Sequence, residues 1–291
     1  MTIDRSERTA IDLGGCRVSL IDGGALKLDG GAMFGIIPKP LWQRKAAPDE
    51  QNRIQLACNC LLVEWERQTT RRVLVESGTG GKYADKEQQI FEIDPDRTVE
   101  AGLRKRDIDP ATITDVVMTH LHFDHAGGLT TGTEGEFRPT FPNARVHVQR
   151  AEFDDAKQNF GIMHATYRDE NFAPLDASDA WQFCKGRQNV LENIIALPSP
   201  GHTRGHQSIL IKGNDRSLLF IGDVMPTAAH VGAPYNMAYD LFPLENRESK
   251  RNLLEMLTES DTLVVCGHEP HTPVLRVVRD KSWFLLQPVD S

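Results

Sequence analysis

The sequence predicts an α/β fold, and three observations carry that reading. Strand-like and helix-like stretches alternate along the chain without an intervening linker. Four short apolar runs each end in a small or polar residue followed by a histidine or aspartate that could bind metal. At 291 residues the chain is long enough to bury a substantial core.

The elements follow in order. Residues 16–20 and 26–28 alternate as strands around Asp22-Gly23-Gly24, which reads as a hairpin turn. Residues 54–65 form a long strand. Residues 71–76 pair with it across the polar Gln68-Thr69-Thr70. Residues 98–106 have helical character: Val99 and Leu103 lie four apart, and Asp96 or Thr98 is placed to cap. Residues 113–118 read as a buried strand. Further helices are expected over 151–158 and 247–257, the latter with an apolar stripe of Leu253, Leu254 and Leu257. Between 158 and 190 the period is lost and aromatics mix with charges, so that stretch reads as a lid-like insertion. The strand-rich beginning and the later strand-rich segment suggest two pseudo-symmetric halves.

The chemistry concentrates in Thr119-His120-Leu121-His122-Phe123-Asp124-His125, directly after the strand at 113–118. Imidazole is the commonest metal ligand, and a carboxylate beside it is a hard oxygen donor. In an extended segment His120 and His122 project to one side. Asp124 and His125 are adjacent and must diverge, which suits two neighbouring ions better than one. Three more strands supply further donors. Residues 194–198 lead to Gly201-His202, residues 218–221 end in Gly222-Asp223, and residues 262–266 end in Gly267-His268. Glycine beside a donor lets the backbone turn sharply without a side chain in the way.

This ordered set resembles the motifs of the metallo-β-lactamase superfamily from about residue 56 onward. The resemblance implies an αββα sandwich: two mixed sheets flanked by helices, with metals at one edge. It implies one ion on His120, His122 and His202, a second on Asp124, His125 and His268, and Asp223 as bridge. Aspartate at 223, where the best-known β-lactamases carry cysteine, points to the binuclear hydrolases. A narrower likeness is to quorum-quenching N-acyl-homoserine lactonases and methyl-parathion-hydrolase-like proteins. It rests on Gly31-Ala32-Met33-Phe34-Gly35-Ile36-Ile37-Pro38, Asn59-Cys60-Leu61-Leu62-Val63-Glu64, Phe141-Pro142-Asn143-Ala144 and Gly201-His202-Thr203-Arg204-Gly205-His206. In two places this chain departs from the pattern. Glu76-Ser77-Gly78 stands where an aspartate usually precedes the Ser-Gly pair, and Pro226 stands where the lactonases carry a tyrosine.

The resemblance implies a single domain over 1–291, with an apolar segment at about 31–55 covering the site. It implies a binuclear hydrolase that opens a lactone or similar ester with a hydroxide shared by two cations. Such cations, about 3.5–4 Å apart, acidify the water between them. Asp124 would also shuttle a proton. Zinc is the first expectation, with manganese, cobalt and iron compatible with the donors. Phosphotriester hydrolysis, or an iron-bearing redox role, is the alternative. Met33, Phe34 and Ile36 are expected to line the substrate pocket. His230, Tyr235 or Tyr239 would replace the tyrosine missing at 226. His206 is expected to support a ligand and His271 to lie at the surface.

Composition narrows the partners. Lys and Arg number 33 against 41 Asp and Glu, a net charge of −8, which disfavours nucleic acid. The triplet Arg104-Lys105-Arg106 reads as a solvated helix face. Five scattered cysteines make no disulfide framework, and Cys266, close to His268, reads as core. Residues 1–9 are polar, and no apolar run reaches the roughly 20 residues of a membrane span. The expectation is therefore a cytoplasmic enzyme acting on a small molecule, with a homodimer compatible.

Overall fold

The computed structural model describes residues 10–65, 68–160 and 164–289. The chain begins with β1 (Ile11–Asp12), β2 (Cys16–Asp29), α1 (Gly30–Phe34), α2 (Lys39–Trp42), β3 (Arg53–Trp65) and β4 (Gln68–Val75). It continues with α3 (Asp85–Phe91), α4 (Val99–Arg104), β5 (Asp115–Val117), α5 (Phe123–Ala126), β6 (Thr130–Thr131), β7 (Arg138–Pro139), β8 (Arg145–Gln149), α6 (Arg150–Gln158) and α7 (Asp169–Phe172). The later part holds β9 (Trp181–Cys184), β10 (Gln188–Leu191), β11 (Ile194–Pro198), β12 (Gln207–Lys212), β13 (Ser217–Phe220), α8 (Pro243–Thr258), β14 (Thr262–Val265), β15 (Val274–Asp280) and β16 (Trp283–Pro288).

Two seven-stranded mixed sheets result, ordered β1-β2-β3-β4-β5-β8-β9 and β10 through β16 in sequence. In the first, β4, β5, β8 and β9 run parallel to one another, and β1 to β4 pair antiparallel. In the second, only the β13–β14 pair is parallel. Because side chains alternate along a strand, each sheet offers two apolar faces. Leu61 and Val63 of β3, with Val73 and Val75 of β4, meet Ile209 and Ile211 of β12 and Leu218 and Phe220 of β13 between the sheets. The alternate residues Cys60, Leu62 and Leu74 pack outward against Val99 and Leu103 of α4. On the far side, Leu219 and Val264 pack against Leu253, Leu254 and Leu257 of α8. This is the αββα sandwich. Among the described residues no helix is long and apolar enough to cross a membrane.

Several local expectations are corrected. Asp22-Gly23-Gly24 is not a turn: β2 runs straight through it beside β3, with a register irregularity between Asp22 and Ala25. The thirteen-residue β3 offers a continuous partner, and the glycines absorb the bulge. A Cβ on Gly23 would lie 2.5 Å from Cys60 Sγ, and Gly24 has φ +115°. The expected turn at 68–70 is the start of β4, with Gln68 opposite Trp65; the connection itself lies outside the described residues. The stretch 158–190 is more than an insertion, since it supplies β9 to the edge of one sheet and β10 to the edge of the other. These strands are only four residues each, too short to show a period.

Candidate metal centre

The histidine-rich segment leaves β5 and turns into α5, so the donors sit at a strand end on the rim of the sandwich. Asp124 and His125 fall in the first turn of α5, where adjacent residues point about 100° apart. The other donors arrive on the rim of the second sheet. His202 follows β11, Asp223 sits in a 3-10 turn after β13, and His268 follows β14. Residues Gly201 and Gly222 both have positive φ, at +139° and +65°. A Cβ on Gly201 would lie 2.2 Å from the Asn246 backbone nitrogen, so the approach of this loop to α8 requires glycine.

All seven predicted donors converge in three overlapping groups: His120, His122, His202; His120, His125, Asp223; and Asp124, His125, His268. Asp223 lies between the outer groups. Its Oδ2 is 3.3 Å from His202 Nε2, and its Oδ1 is 3.4 Å from both His125 Nε2 and His268 Nε2. Asp124 Oδ2 is 3.4 Å from His268 Nε2.

The outward ring nitrogens are held by other groups, which fixes what the inward ones can do. His125 Nδ1 bonds to Glu76 Oε2 at 2.8 Å, and His268 Nδ1 to the Ala57 carbonyl at 2.7 Å. His202 Nδ1 bonds to Asp240 Oδ1 at 3.0 Å, and His120 Nδ1 to Thr119 Oγ1 at 2.9 Å. With Nδ1 donating, the Nε2 atoms of His125 and His268 present lone pairs to each other across 3.0 Å. Lone pairs at that separation repel unless a proton or cation lies with them. His202 Nε2 and His122 Nδ1 are likewise 3.0 Å apart. Meanwhile His120 Nε2, His122 Nε2 and Asp223 Oδ1 are buried without a hydrogen-bond partner. Buried orphaned donors and acceptors are costly, and bound cations would satisfy all three. The residues therefore fit bound divalent cations.

The electrostatics agree. Burial disfavours charge on His125 and His268, yet the Asp223 carboxylate outweighs it and raises both rings well above their ordinary value. Burial, and the neighbouring imidazoles, push His120 and His122 well down. Asp223, although buried, is held well below the usual carboxylate range by His268, His125 and His202.

His206 supports the site and stands outside the three donor groups. Its Nδ1 lies 3.1 Å from the Ser199 carbonyl, and its Nε2 accepts the Asp223 backbone N–H at 3.0 Å. Glu76 accepts both from Thr119 N–H at 2.6 Å and from His125, so its longer side chain bonds to the histidine loop. Cys266 is buried in the core beneath α8.

A cavity of about 210 Å³ opens over Asp124, Asp223, His122, His202 and His268. Its other walls are mainly apolar: Leu28, Met33, Leu56, Phe91, Phe123 and Met237, with Tyr239 among them. Of the six residues expected at the substrate, Met33 and Tyr239 line this cavity, and Phe34, Ile36, His230 and Tyr235 do not. Phe34 is fully buried, stacked between Trp42 at 5.3 Å and His230 at 4.7 Å, because the short α1 turns it away from the site. Ile36 is 73% exposed, beyond the end of that helix. His230 is fully buried, bonded to the Met33 carbonyl at 2.9 Å and to Thr227 Oγ1 at 2.8 Å, so it supports the Met33 wall from behind. Tyr235 packs edge-on against Phe34.

Three supporting residues were not anticipated. Asp240 holds His202 and in turn accepts from Met237 N–H and Asn246 Nδ2. Glu152, fully buried on α6, accepts from Leu121 N–H, Thr203 Oγ1 and Tyr167 O–H, tying the two histidine loops together. The Tyr167 ring lies 5.0 Å from that of His122. A carboxylate in otherwise polar sequence gives no sign of such burial; the one available signal was the proximity of Asp240 to Tyr239.

Comparison with known proteins is consistent with this geometry. The sequence matches the Metallo-beta-lactamase superfamily over residues 53–268. An N-acyl homoserine lactonase, AttM, of Rhizobium radiobacter is 28% identical over 185 residues, or 61% of this chain and 66% of that protein's length. The match therefore spans slightly under two thirds of that relative. A probable metal-dependent hydrolase from Staphylococcus aureus superposes with a TM-score of 0.86 at 28% identity, covering 97% of this chain and 100% of the other. AidC, a dizinc quorum-quenching lactonase solved with a product, shares the fold with a TM-score of 0.78 at 18% identity, covering 97% of each chain. With the family match spanning most of the chain and both sheets carrying the donors to one rim, this protein belongs to the metallo-β-lactamase superfamily.

Proposed function

We propose that this chain is a binuclear metal-dependent hydrolase that opens a lactone or similar uncharged ester. The observation that carries the reading is Asp223, whose two carboxylate oxygens face different histidine groups at 3.3–3.4 Å beneath a mainly apolar cavity. His120, His122 and His202 would hold one cation, and Asp124, His125 and His268 the other, with Asp223 shared. When bound, such cations supply Lewis acidity and an acidified water at neutral pH. Zinc suits imidazole and carboxylate donors, and manganese, cobalt and iron suit them as well.

The protein's own groups do the rest. Glu76, Asp240 and the Ala57 carbonyl fix the rings of His125, His202 and His268. Asp124, at the cavity wall, is placed to pass a proton to the departing oxygen. Burial pushes the Tyr239 phenol up to about 12, so it keeps its proton at neutral pH. It can then donate to the carbonyl oxygen as charge develops there, in place of the tyrosine missing at Pro226. The apolar walls receive the acyl part. Among the described residues lining the cavity none is lysine or arginine, which favours an uncharged substrate over an anionic phosphoester.

The test is elemental analysis of loaded protein alongside a panel of lactone, ester, thioester, phosphotriester and β-lactam substrates. Two ions per chain and preferred lactone or ester turnover are expected, with Asp223→Ala losing turnover and both ions. A single ion in the wild type sinks the binuclear reading. Preference for the phosphotriester would replace the ester assignment with the alternative.

A further inference from the structure

Arg168 stands behind the part of the cavity wall formed by Phe91, Phe123 and Ala165. Its Nε donates to the Ala165 carbonyl at 3.3 Å, and its terminal nitrogen donates to Glu87 Oε1 at 2.6 Å. Its guanidinium carbon lies 5.0 Å from the Tyr83 ring centroid and 5.3 Å from that of Phe123. Phe123, packed against Phe91 at 5.7 Å and edge-on to Tyr83 at 6.2 Å, lines the catalytic cavity. Ala165 and Phe91 line it too. Phe91 lies on α3, the helix that carries Glu87. One cation thus ties the 165–168 segment, α3 and the aromatic wall together, donating a hydrogen bond to each of the first two and lying over the rings of the third.

Beyond Arg168 lies a second, larger cavity of about 660 Å³. Glu87, Tyr167 and Arg168 are among its walls, and Ala165 lines both cavities. With only 12% of its side chain exposed, Arg168 fills the space between the Phe123 ring on one side and the outer cavity on the other. Outside that partition the surroundings turn polar, with Lys157, Asp169 and Glu170.

We propose that Arg168, held by Glu87, is a specificity-determining positioning residue: it backs the Phe123–Ala165 wall that closes the inner cavity against the outer one and so limits the length of substrate tail the site accepts. The proposal rests on the hydrolase reading for the identity of the substrate, but the partition itself is a property of the walls. Removing the guanidinium takes away the backing of the Phe123 ring beside Ala165, which lines both spaces, so a long tail is expected to push through there while the donors of the metal centre stay in place.

The experiment compares metal-loaded wild type, Arg168→Ala, Arg168→Lys and Glu87→Gln. Each is assayed for kcat/KM on γ-lactones with four- and twelve-carbon tails, and by calorimetry for binding of butanoate and dodecanoate. Arg168→Ala is expected to raise the long-to-short ratio of kcat/KM at least tenfold and to tighten dodecanoate, but not butanoate, to a similar degree. Glu87→Gln should shift both in the same direction by a smaller factor. Arg168→Lys, which keeps a cation but loses the planar stack, should fall between wild type and alanine. A merely structural role would lower both tail lengths together, and a ratio unchanged within twofold in Arg168→Ala and Glu87→Gln overturns the proposal. Should the alanine variant not fold, Glu87→Gln decides alone. If wild type turns over neither lactone, the hydrolase reading fails, and dodecanoate binding still judges the partition.

Discussion

Replacing Asp240 by asparagine keeps the shape of the side chain and removes its charge, yet it sets donors against donors. Asp240 is buried and accepts three hydrogen bonds: from His202 Nδ1 at 3.0 Å, Met237 N–H at 3.1 Å and Asn246 Nδ2 at 3.0 Å. An asparagine amide offers one accepting and one donating end. With its oxygen toward His202, its NH₂ meets the N–H groups of Met237 and Asn246. With its NH₂ toward His202, the ring must carry its proton on Nε2, the atom that faces Asp223. The first orientation leaves the Met237 and Asn246 donors without an acceptor, which costs about 1–3 kcal/mol for each, and the second covers the His202 lone pair that a cation needs. In a chain of this size each kcal/mol lowers Tm by about 2–4 °C. Loss of such a supporting partner typically weakens metal affinity about 10–100-fold. Chelator competition would measure the affinity and thermal unfolding of metal-free protein the stability. The reasoning is refuted if Asp240→Asn binds both ions as tightly as wild type and melts within 1–2 °C of it, a span of roughly half a kcal/mol.

Tyr239→Phe should lower kcat/KM on a lactone by about tenfold, or about 1.4 kcal/mol of transition-state stabilisation. Tyr235→Phe, whose ring serves Phe34 instead of the cavity, should stay within about twofold; the reverse order would discard Tyr239 as the donor. Lys250 is buried beneath the 230–235 loop and donates to the carbonyls of His230, Gly232 and Tyr235. Burial pushes its amine from the ordinary 10.5 down to about 7, with Asp240 opposing and Arg247 adding to the shift. The unfolded chain therefore binds more protons between those values, so this residue makes stability rise as pH climbs from about 7 to 10.5. Denaturant unfolding of wild type and Lys250→Met at several pH values should show wild type gaining on the variant across that window. A constant difference would contradict it.

The parts of this molecule that repeat were legible, and the parts that depend on distant partners were not. Leu61, Val63, Val73 and Val75 announce their inward face by alternation, and Cys60, Leu62 and Leu74 their outward one. The seven donors were readable because each follows an apolar strand, and β11, β13 and β14 run the same way in their sheet, so their donors emerge on one rim. No such regularity governs residues 228–241, so sequence could not tell Tyr239, on the cavity, from Tyr235, against Phe34. Nor could it show that Phe34 would turn inward onto Trp42 while Met33 reached the site. Glu152 and Asp240 were hidden for a related reason. Their acceptance of hydrogen bonds from loops 31 and 38 residues away in sequence follows from tertiary placement, not from local pattern.

The division of the donors between the sheets has a mechanical consequence. His120, His122, Asp124 and His125 belong to the rim of the first sheet, whereas His202, Asp223 and His268 belong to the second. Between the sheets lies a seam of aliphatic contacts, which resists separation without direction. A cation gripped from both rims would add a directional clasp across that seam, acting as a rivet at one end of two stacked plates. Metal loading would then stabilise the whole sandwich by mass action, through the affinity of the folded rim over the unfolded chain. Loss of metal would be felt first as loosening of one plate against the other, before either sheet lost its own ladder.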